Sequence, residues 1–92
     1  MGVVTFSAVI KGRVQGVSFR SSMLGKAIEL GVRGWVRNNE DGSVEALIQG
    51  EEPDVWKLLD WAGGGPPGAQ VSGVVLTRLE SHQPQTDFTI HR

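Results

Sequence analysis

The segment Gly12–Arg20 combines two glycines with an arginine, and these residue types together suit the binding of an anion. Glycine lets the backbone turn tightly, so successive N–H groups can point toward a common centre. Arg20 adds a guanidinium that can donate to two oxygens of one phosphate group at once. The same residues would also suit an ordinary turn beside a solvated arginine, because short glycine motifs are weak indicators by themselves.

The position of Arg20 is a further indication of anion binding, although by itself it leaves the plain turn open. Apolar residues recur at helical spacing from Phe19 onward, which places Arg20 in a first helical turn, beside unpaired N–H groups and the positive end of the dipole. A cation there costs roughly a few tenths of a kcal/mol, up to ~1, and a bound anion would remove that conflict. The segment has neither the Gly-Lys-Ser/Thr ending of a nucleotide P-loop nor the three-glycine dinucleotide fingerprint, so it predicts a single phosphate group.

A second polar segment runs from Asn38, the last residue of one predicted strand, through the connection Asn39–Gly42 to the next predicted strand. Composition by itself favours a hairpin turn, because Asn, Asp and Gly are the usual residues of such turns. Glu40 and Asp41 could pair as acid and base, but adjacent carboxylates in a hairpin are usually solvated turn formers. Spacing cannot choose between Asn38 and Asn39 for a role in chemistry.

The elements that must position these residues follow from the periodicity of the chain. Residues 4–11 alternate, which predicts a half-buried strand. Helical spacing then runs from Phe19 to Leu30, and Gly31 suits the left-handed position that ends a helix. The apolar face of the first strand is predicted to be Val4, Phe6, Ala8 and Ile10. Further strands are predicted at 32–38, 43–49, 70–79 and 87–91. A second helix is predicted with Pro53 in its first turn, and its apolar stripe consists of Val55, Leu58, Leu59 and Ala62.

The order of these elements is β-α-β-β-α-β, with a short strand at the C-terminus. It predicts the ferredoxin-like α+β sandwich, in which an antiparallel sheet carries two helices on one face. We assign residues 1–92 to a single domain, because a chain of 92 residues is too short to bury two separate hydrophobic cores. This fold hosts many functions and therefore decides nothing about chemistry.

Composition and charge exclude several classes of function. The chain has no cysteine, which excludes disulfides, thiolate nucleophiles and zinc–thiolate sites, and no residue cluster has the character of a metal site. No basic segment precedes the short apolar run Val3–Ile10, so we expect a cytoplasmic protein. Residues 1–39 hold six cations and one acid, whereas residues 40–92 hold three cations and nine acids. The cationic half could hold an anion, or the two halves could neutralise each other in the fold.

The histidines and tryptophans are open to a functional and a plainer interpretation. His82 and His91 lie near the C-terminus, and we expect both on the surface. Trp35, Trp56 and Trp61 could line a binding face, but partial packing into the core is the expected role.

Two longer patterns make the sequence recognisable. Residues 12–20 read Gly-x-Val-Gln-Gly-Val-x-Phe-Arg, and residues 34–50 read Gly-aromatic-small-basic-Asn, three residues, Gly-x-Val, five residues and a final Gly. Both are complete signatures of the acylphosphatase family, which the chain resembles over its whole length. The Gly65-Pro66-Pro67 loop and the Phe88–Ile90 end also look like that family.

This resemblance implies a metal-free, cofactor-free hydrolase that cleaves an acyl phosphate to a carboxylate and inorganic phosphate, with water attacking in line at phosphorus. It implies that Arg20 and Asn38 are the catalytic side chains, and that Asn38 orients the water through the one acceptor and two donors of its amide. The backbone amides implied to bind the substrate phosphate belong to Val14, Gln15, Gly16, Val17, Ser18, Phe19 and Arg20. The expected partner is the small-molecule substrate, without nucleic acid or membrane, and we expect a monomer.

Two other functions share some of these features. An RNA-recognition motif has the same element order, but it carries aromatic residues on its third strand, whereas Ser43–Gln49 has none. A regulatory anion-binding module, or a domain of a larger carbamoyl-transferring enzyme, would keep the phosphate loop without independent turnover. The length of the chain favours the free-standing enzyme. Nothing in the sequence recognises the acyl half, so the physiological substrate stays open.

Overall fold

The computed structural model describes residues 2–91, which form five strands and two helices. Each strand lies within two residues of its predicted bounds. In chain order the elements are β1 (Val3–Arg13), α1 (Phe19–Leu30), β2 (Arg33–Asn38), β3 (Val44–Glu51), α2 (Glu52–Ala62), β4 (Gln70–Arg78) and β5 (Phe88–Ile90).

The strands form one sheet in the order β4-β1-β3-β2-β5, and the ferredoxin-like fold is confirmed. β1 pairs antiparallel with β3 and β4, and β2 pairs antiparallel with β3. The sheet differs from the expected antiparallel one only at its last edge, where β5 lies parallel to β2 with Gly34 beside Phe88. Residues 79–87 cross the end of the sheet and reverse the chain direction, so β5 enters beside β2 and runs the same way.

One face of the sheet packs against both helices and forms the core. The four predicted apolar residues of β1, from Val4 to Ile10, are all buried there. α1 contributes Phe19, Met23 and Ala27, and α2 contributes Val55, Leu58, Leu59 and Ala62, as their spacing predicted. The rings of Phe19 and Trp61 meet with centroids 5.3 Å apart, and those of Phe6 and Trp56 are 5.2 Å apart, so two tryptophans pack partly against the core.

The strand register brings the two predicted site segments to the same end of the sheet. Val44, at the start of β3, lies opposite Ile10 of β1 on one side and opposite Asn38 of β2 on the other. The chain leaves β1 shortly after Ile10 and enters the loop that precedes α1. The loop and the end of β2 are therefore neighbours, although Val14 and Asn38 lie 24 positions apart in the sequence.

Candidate active site

The loop between β1 and α1 has a backbone that alternates in handedness. Gly16 has φ 77° and Ser18 has φ 61°, whereas Gln15, Val17 and Phe19 have negative φ. Ser18 is the only non-glycine residue of the described chain with positive φ, a conformation that is uncommon and costly outside glycine and that clusters at active sites and ligand-binding segments. Alternation of this kind turns successive N–H groups toward one side and creates a concave anion site, a nest.

The N–H groups of this loop have no backbone partners. Within residues 2–91, no backbone carbonyl accepts a hydrogen bond from the N–H groups of residues 15–21, and the first to be paired is that of Ser22, 3.0 Å from the Ser18 oxygen. The Ser18 side chain does not cap α1, and no acidic residue lies in its first turn. These donors, together with the positive end of the helix dipole, suit an anion.

The loop and Asn38 line a single pocket of about 110 Å³, well above the roughly 10–15 Å³ that one water molecule needs. The residues around it are Val14, Gln15, Gly16, Ser18, Phe19, Arg20, Ser21 and Asn38. All but one of the sequence-predicted site residues therefore meet here. The exception is Val17, whose side chain lies near Gly68 and is not among the residues that line the pocket.

Arg20 is half-buried in the first turn of α1, and its guanidinium is oriented by the C-terminal strand. Its Nη1 donates to the carbonyl oxygen of His91 at 3.3 Å. His91 is itself fixed because its N–H donates to the Val36 oxygen at 2.8 Å. A guanidinium has five N–H donors, so this bond sets its direction and leaves donors for a ligand. Sequence reasoning identified His91 only as a surface residue, since a backbone carbonyl carries no sequence signal.

The structure separates Asn38 from Asn39, which spacing alone could not do. Asn38 ends β2 with an exposed side chain at the pocket. The Asn39 side chain instead donates through Nδ2 to the Ser43 Oγ at 3.0 Å inside the turn. Asn39 is therefore a turn residue, as we expected.

Asp41 completes this turn. Its Oδ1 accepts hydrogen bonds from the Ser43 hydroxyl at 2.6 Å and from the Ser43 N–H at 3.0 Å. These two bonds hold the pKa of the Asp41 carboxyl below its ordinary value. The carboxylate organises the hairpin and does not line the pocket.

The uneven charge of the chain is partly balanced across the sheet. Arg37 from the cationic half donates to the Glu45 carboxylate at 2.8 Å and lies over the Trp35 ring, 5.2 Å from its centroid. In the part of the chain that the structure describes, no carboxylate lies within salt-bridge distance of Arg20. The guanidinium at the pocket is thus not neutralised by an acid of residues 2–91.

A second and larger cavity, of about 470 Å³, lies at the opposite end of the sheet from this pocket, beside the start of β1 and the connection after β4. Residues 2–91 contain no group of three or more His, Cys, Asp or Glu side chains that could hold a metal ion. Neither α1 nor α2 is long and apolar enough to cross a membrane.

Fold and pocket together define a ferredoxin-like α+β domain with a glycine-containing loop between its first strand and first helix and an arginine in the first turn of that helix. The acylphosphatase family model matches residues 6–90. The chain belongs to the acylphosphatase family.

Individual relatives and solved structures agree with this assignment. An acylphosphatase of Albidiferax ferrireducens is 53% identical over 74 residues, which are 80% of each chain. The crystal structure of an acylphosphatase from Bacillus subtilis superposes with a TM-score of 0.93 at 30% identity, over 97% of this chain and 99% of that one. Full-length HypF is similar with a TM-score of 0.89 at 26% identity, over 99% of this chain but 12% of that chain. A similar domain therefore also occurs inside a much longer chain.

Proposed function

We propose that this protein is an acylphosphatase that hydrolyses acyl phosphates to a carboxylate and inorganic phosphate. The observation that carries the proposal is the meeting of the unpaired loop amides, Arg20 and Asn38 in one pocket. Membership of the acylphosphatase family supports the same reaction. The proposed enzyme acts as a single domain of residues 1–92.

The substrate phosphate is held by the amides of residues 14–20 and by the Arg20 guanidinium. In phosphoryl transfer the transition state is loose, and its charge is spread over the equatorial oxygens, so catalysis is mostly positioning and electrostatic stabilisation. Donors that are already oriented need no reorganisation during the reaction, and each is worth about 3–4 kcal/mol in other enzymes. The fixed backbone of the loop and the His91 carbonyl supply that orientation.

Asn38, which lines the same pocket, orients the attacking water. Its amide oxygen can accept one hydrogen bond from the water and its NH₂ group can donate one to it, which leaves the second lone pair of the water oxygen free to attack phosphorus. An amide is not a base, so the proton of the water passes to a phosphate oxygen of the substrate. The water oxygen bonds to phosphorus as the bond to the carboxylate oxygen breaks.

The leaving group explains why so few side chains suffice. A departing carboxylate is a weak base and needs no general acid to protonate it. The pocket is consistent with this chemistry, because no Asp, Glu or His is among its lining residues in the described chain. Phosphate binding and water orientation are then the two tasks of the site.

The direct test is to incubate the purified protein with benzoyl phosphate or acetyl phosphate in the presence of EDTA. We expect steady release of inorganic phosphate, unaffected by the chelator, with competitive inhibition by added phosphate. Absence of turnover by folded protein would rule out the enzyme and leave an anion-binding module. Loss of turnover with EDTA would contradict the metal-free mechanism.

The proposal also covers the location, the oligomeric state and the binding partners of the enzyme. We propose a cytoplasmic monomer whose partner is the small-molecule substrate, without nucleic acid or membrane. Sedimentation at micromolar concentration tests the monomer, and titration with RNA at low salt tests the absence of nucleic-acid binding.

A further inference from the structure

The Gln15 side chain connects the phosphate loop to the hairpin that carries Asn38. Its Nε2 donates to the backbone oxygen of Asn39 at 2.8 Å and to that of Ser43 at 2.9 Å. Both N–H donors of the amide are therefore used, and they join segments 24 and 28 residues apart in sequence. Gln15 thus contributes to the site at two levels, since its backbone lies in the loop while its side chain reaches across to the turn.

The hairpin is built to leave these two carbonyls accessible. In a regular ladder the Ser43 N–H would pair with the Asn39 oxygen, but here it donates to the Asp41 carboxylate at 3.0 Å. The Asn39 oxygen is left with the N–H of Gly42 at 3.2 Å and with Gln15. The Ser43 oxygen accepts from the Asn39 N–H at 2.9 Å as well as from Gln15. Asp41 and Ser43 therefore shape a two-carbonyl acceptor for one side-chain amide.

We propose that Gln15 is a positioning residue that sets the location of Asn38 relative to the phosphate loop. The inference rests on the proposed function, in which the loop holds phosphate and Asn38 holds water. Asn38 directly precedes Asn39, so fixing the Asn39 peptide fixes the backbone from which the catalytic amide extends. Because the Gln15 side chain joins the loop that holds phosphate to the hairpin that carries Asn38, it controls the distance between the water oxygen and phosphorus.

The size of the effect follows from the sensitivity of reactions to geometry. A misplacement of about 1 Å can lower a rate by about 100-fold. Loss of the Gln15 bonds leaves the loop amides and Arg20 in place, so phosphate affinity should persist. The expected signature is a fall in kcat without a matching rise in KM or in the inhibition constant for phosphate.

The first test replaces Gln15 by methionine, which keeps the length of the side chain and removes its hydrogen bonds. For Gln15→Met we expect kcat to fall about 10- to 100-fold, with the inhibition constant of inorganic phosphate within about threefold of wild type. Gln49→Met is the matched control. Gln49 is a buried glutamine that donates to Gln83 and Thr5 at the opposite end of the sheet, so its loss should lower stability and leave kcat unchanged.

Two outcomes of this test would overturn the proposal. One is a folded Gln15→Met protein with wild-type kcat. The other is a phosphate inhibition constant that rises as much as kcat/KM falls, because Gln15 would then only shape the loop.

A second variant covers the case in which Gln15→Met does not fold. Gln15→Glu keeps the shape, but its carboxylate faces two carbonyl oxygens and cannot donate to them. Protonation restores one donor, so the ratio of its kcat to that of wild type should rise as pH falls toward about 4.3, the ordinary pKa of glutamate. A ratio independent of pH would contradict the proposed link.

Nuclear magnetic resonance with inorganic phosphate separates this proposal from the proposed function. In the wild-type protein, phosphate should shift both the Gly16 amide and the Asn38 side-chain amide signals. In Gln15→Met the Gly16 response should remain and the Asn38 response should be lost. If the wild-type protein fails to hydrolyse acyl phosphates but shows this pattern, the proposed function fails and the positioning role of Gln15 stands. An Asn38 response retained in Gln15→Met overturns the positioning role whatever the activity.

Discussion

The Arg20 guanidinium donates a hydrogen bond to the backbone oxygen of His91, 71 residues further along the chain. The bond connects the first turn of α1 to the residue that follows β5. The parallel pairing of β5 with β2 is what carries His91 to this position. The proposed phosphate-binding arginine is therefore oriented by the last part of the sheet.

The need for the two parallel N–H donors of the Arg20 guanidinium can be tested by Arg20→Lys. Lysine keeps the charge but loses the planar pair of donors, and it cannot both bind the His91 oxygen and contact two phosphate oxygens. We expect kcat/KM for benzoyl phosphate to fall about 100- to 1000-fold, with an unchanged far-ultraviolet circular dichroism spectrum. Near-wild-type turnover would refute Arg20 as the phosphate clamp.

The role of the His91 carbonyl in orienting the Arg20 guanidinium can be tested by His91→Pro. Proline removes the N–H that donates to the Val36 oxygen at 2.8 Å and so releases the carbonyl that holds the guanidinium. We expect weaker phosphate inhibition and a KM raised about tenfold, which corresponds to about 1.4 kcal/mol. The matched control is His91→Ala, which keeps the backbone bonds and loses only the ring stacked on Trp35 at 5.1 Å. Equal kinetic effects in the two variants would show that the ring, not the backbone, matters.

The water-orienting role of Asn38 can be tested by Asn38→Ala. We expect kcat to fall about 100-fold or more, while the inhibition constant of phosphate stays near its wild-type value because the loop is intact. Asn39→Ala is the matched control, since the Asn39 side chain bonds only within the turn. It should lower the free energy of unfolding by about 1 kcal/mol and keep most of the activity. An active, folded Asn38→Ala protein would refute the proposed mechanism.

The turn carboxylate Asp41 gives a prediction about pH and stability. Hydrogen bonds from Ser43 lower the pKa of Asp41 in the folded protein below its ordinary value of 3.8, so the unfolded chain binds the proton more tightly. The stabilisation is therefore fully present above pH about 4–5 and is lost as pH falls through the folded-state pKa. Urea unfolding of the wild type and Asp41→Asn should show a stability difference that shrinks below pH 4. A difference that stays constant down to pH 2 would contradict the assignment.

Much of the site was predictable because local sequence specifies it. Glycines and an arginine before a helix define the loop, alternation defines β1, and helical spacing defines the buried face of α1. These features depend on neighbouring residues and intrinsic backbone preferences, which a sequence displays directly. The resemblance to the acylphosphatase family added the choice of Asn38 over Asn39.

Other relationships required the folded chain. The parallel β5, the carbonyl of His91 at Arg20, and the two carbonyls bound by Gln15 all join residues more than 20 positions apart. Such contacts depend on how the crossing connection and the hairpin close over the whole sheet, and the acceptors are backbone oxygens that every residue possesses. Local sequence was enough to predict the elements and the segments that line the pocket, because the identity of neighbouring side chains is visible in the chain itself. The backbone oxygens that orient those segments became known only from the fold, because they are distant in sequence.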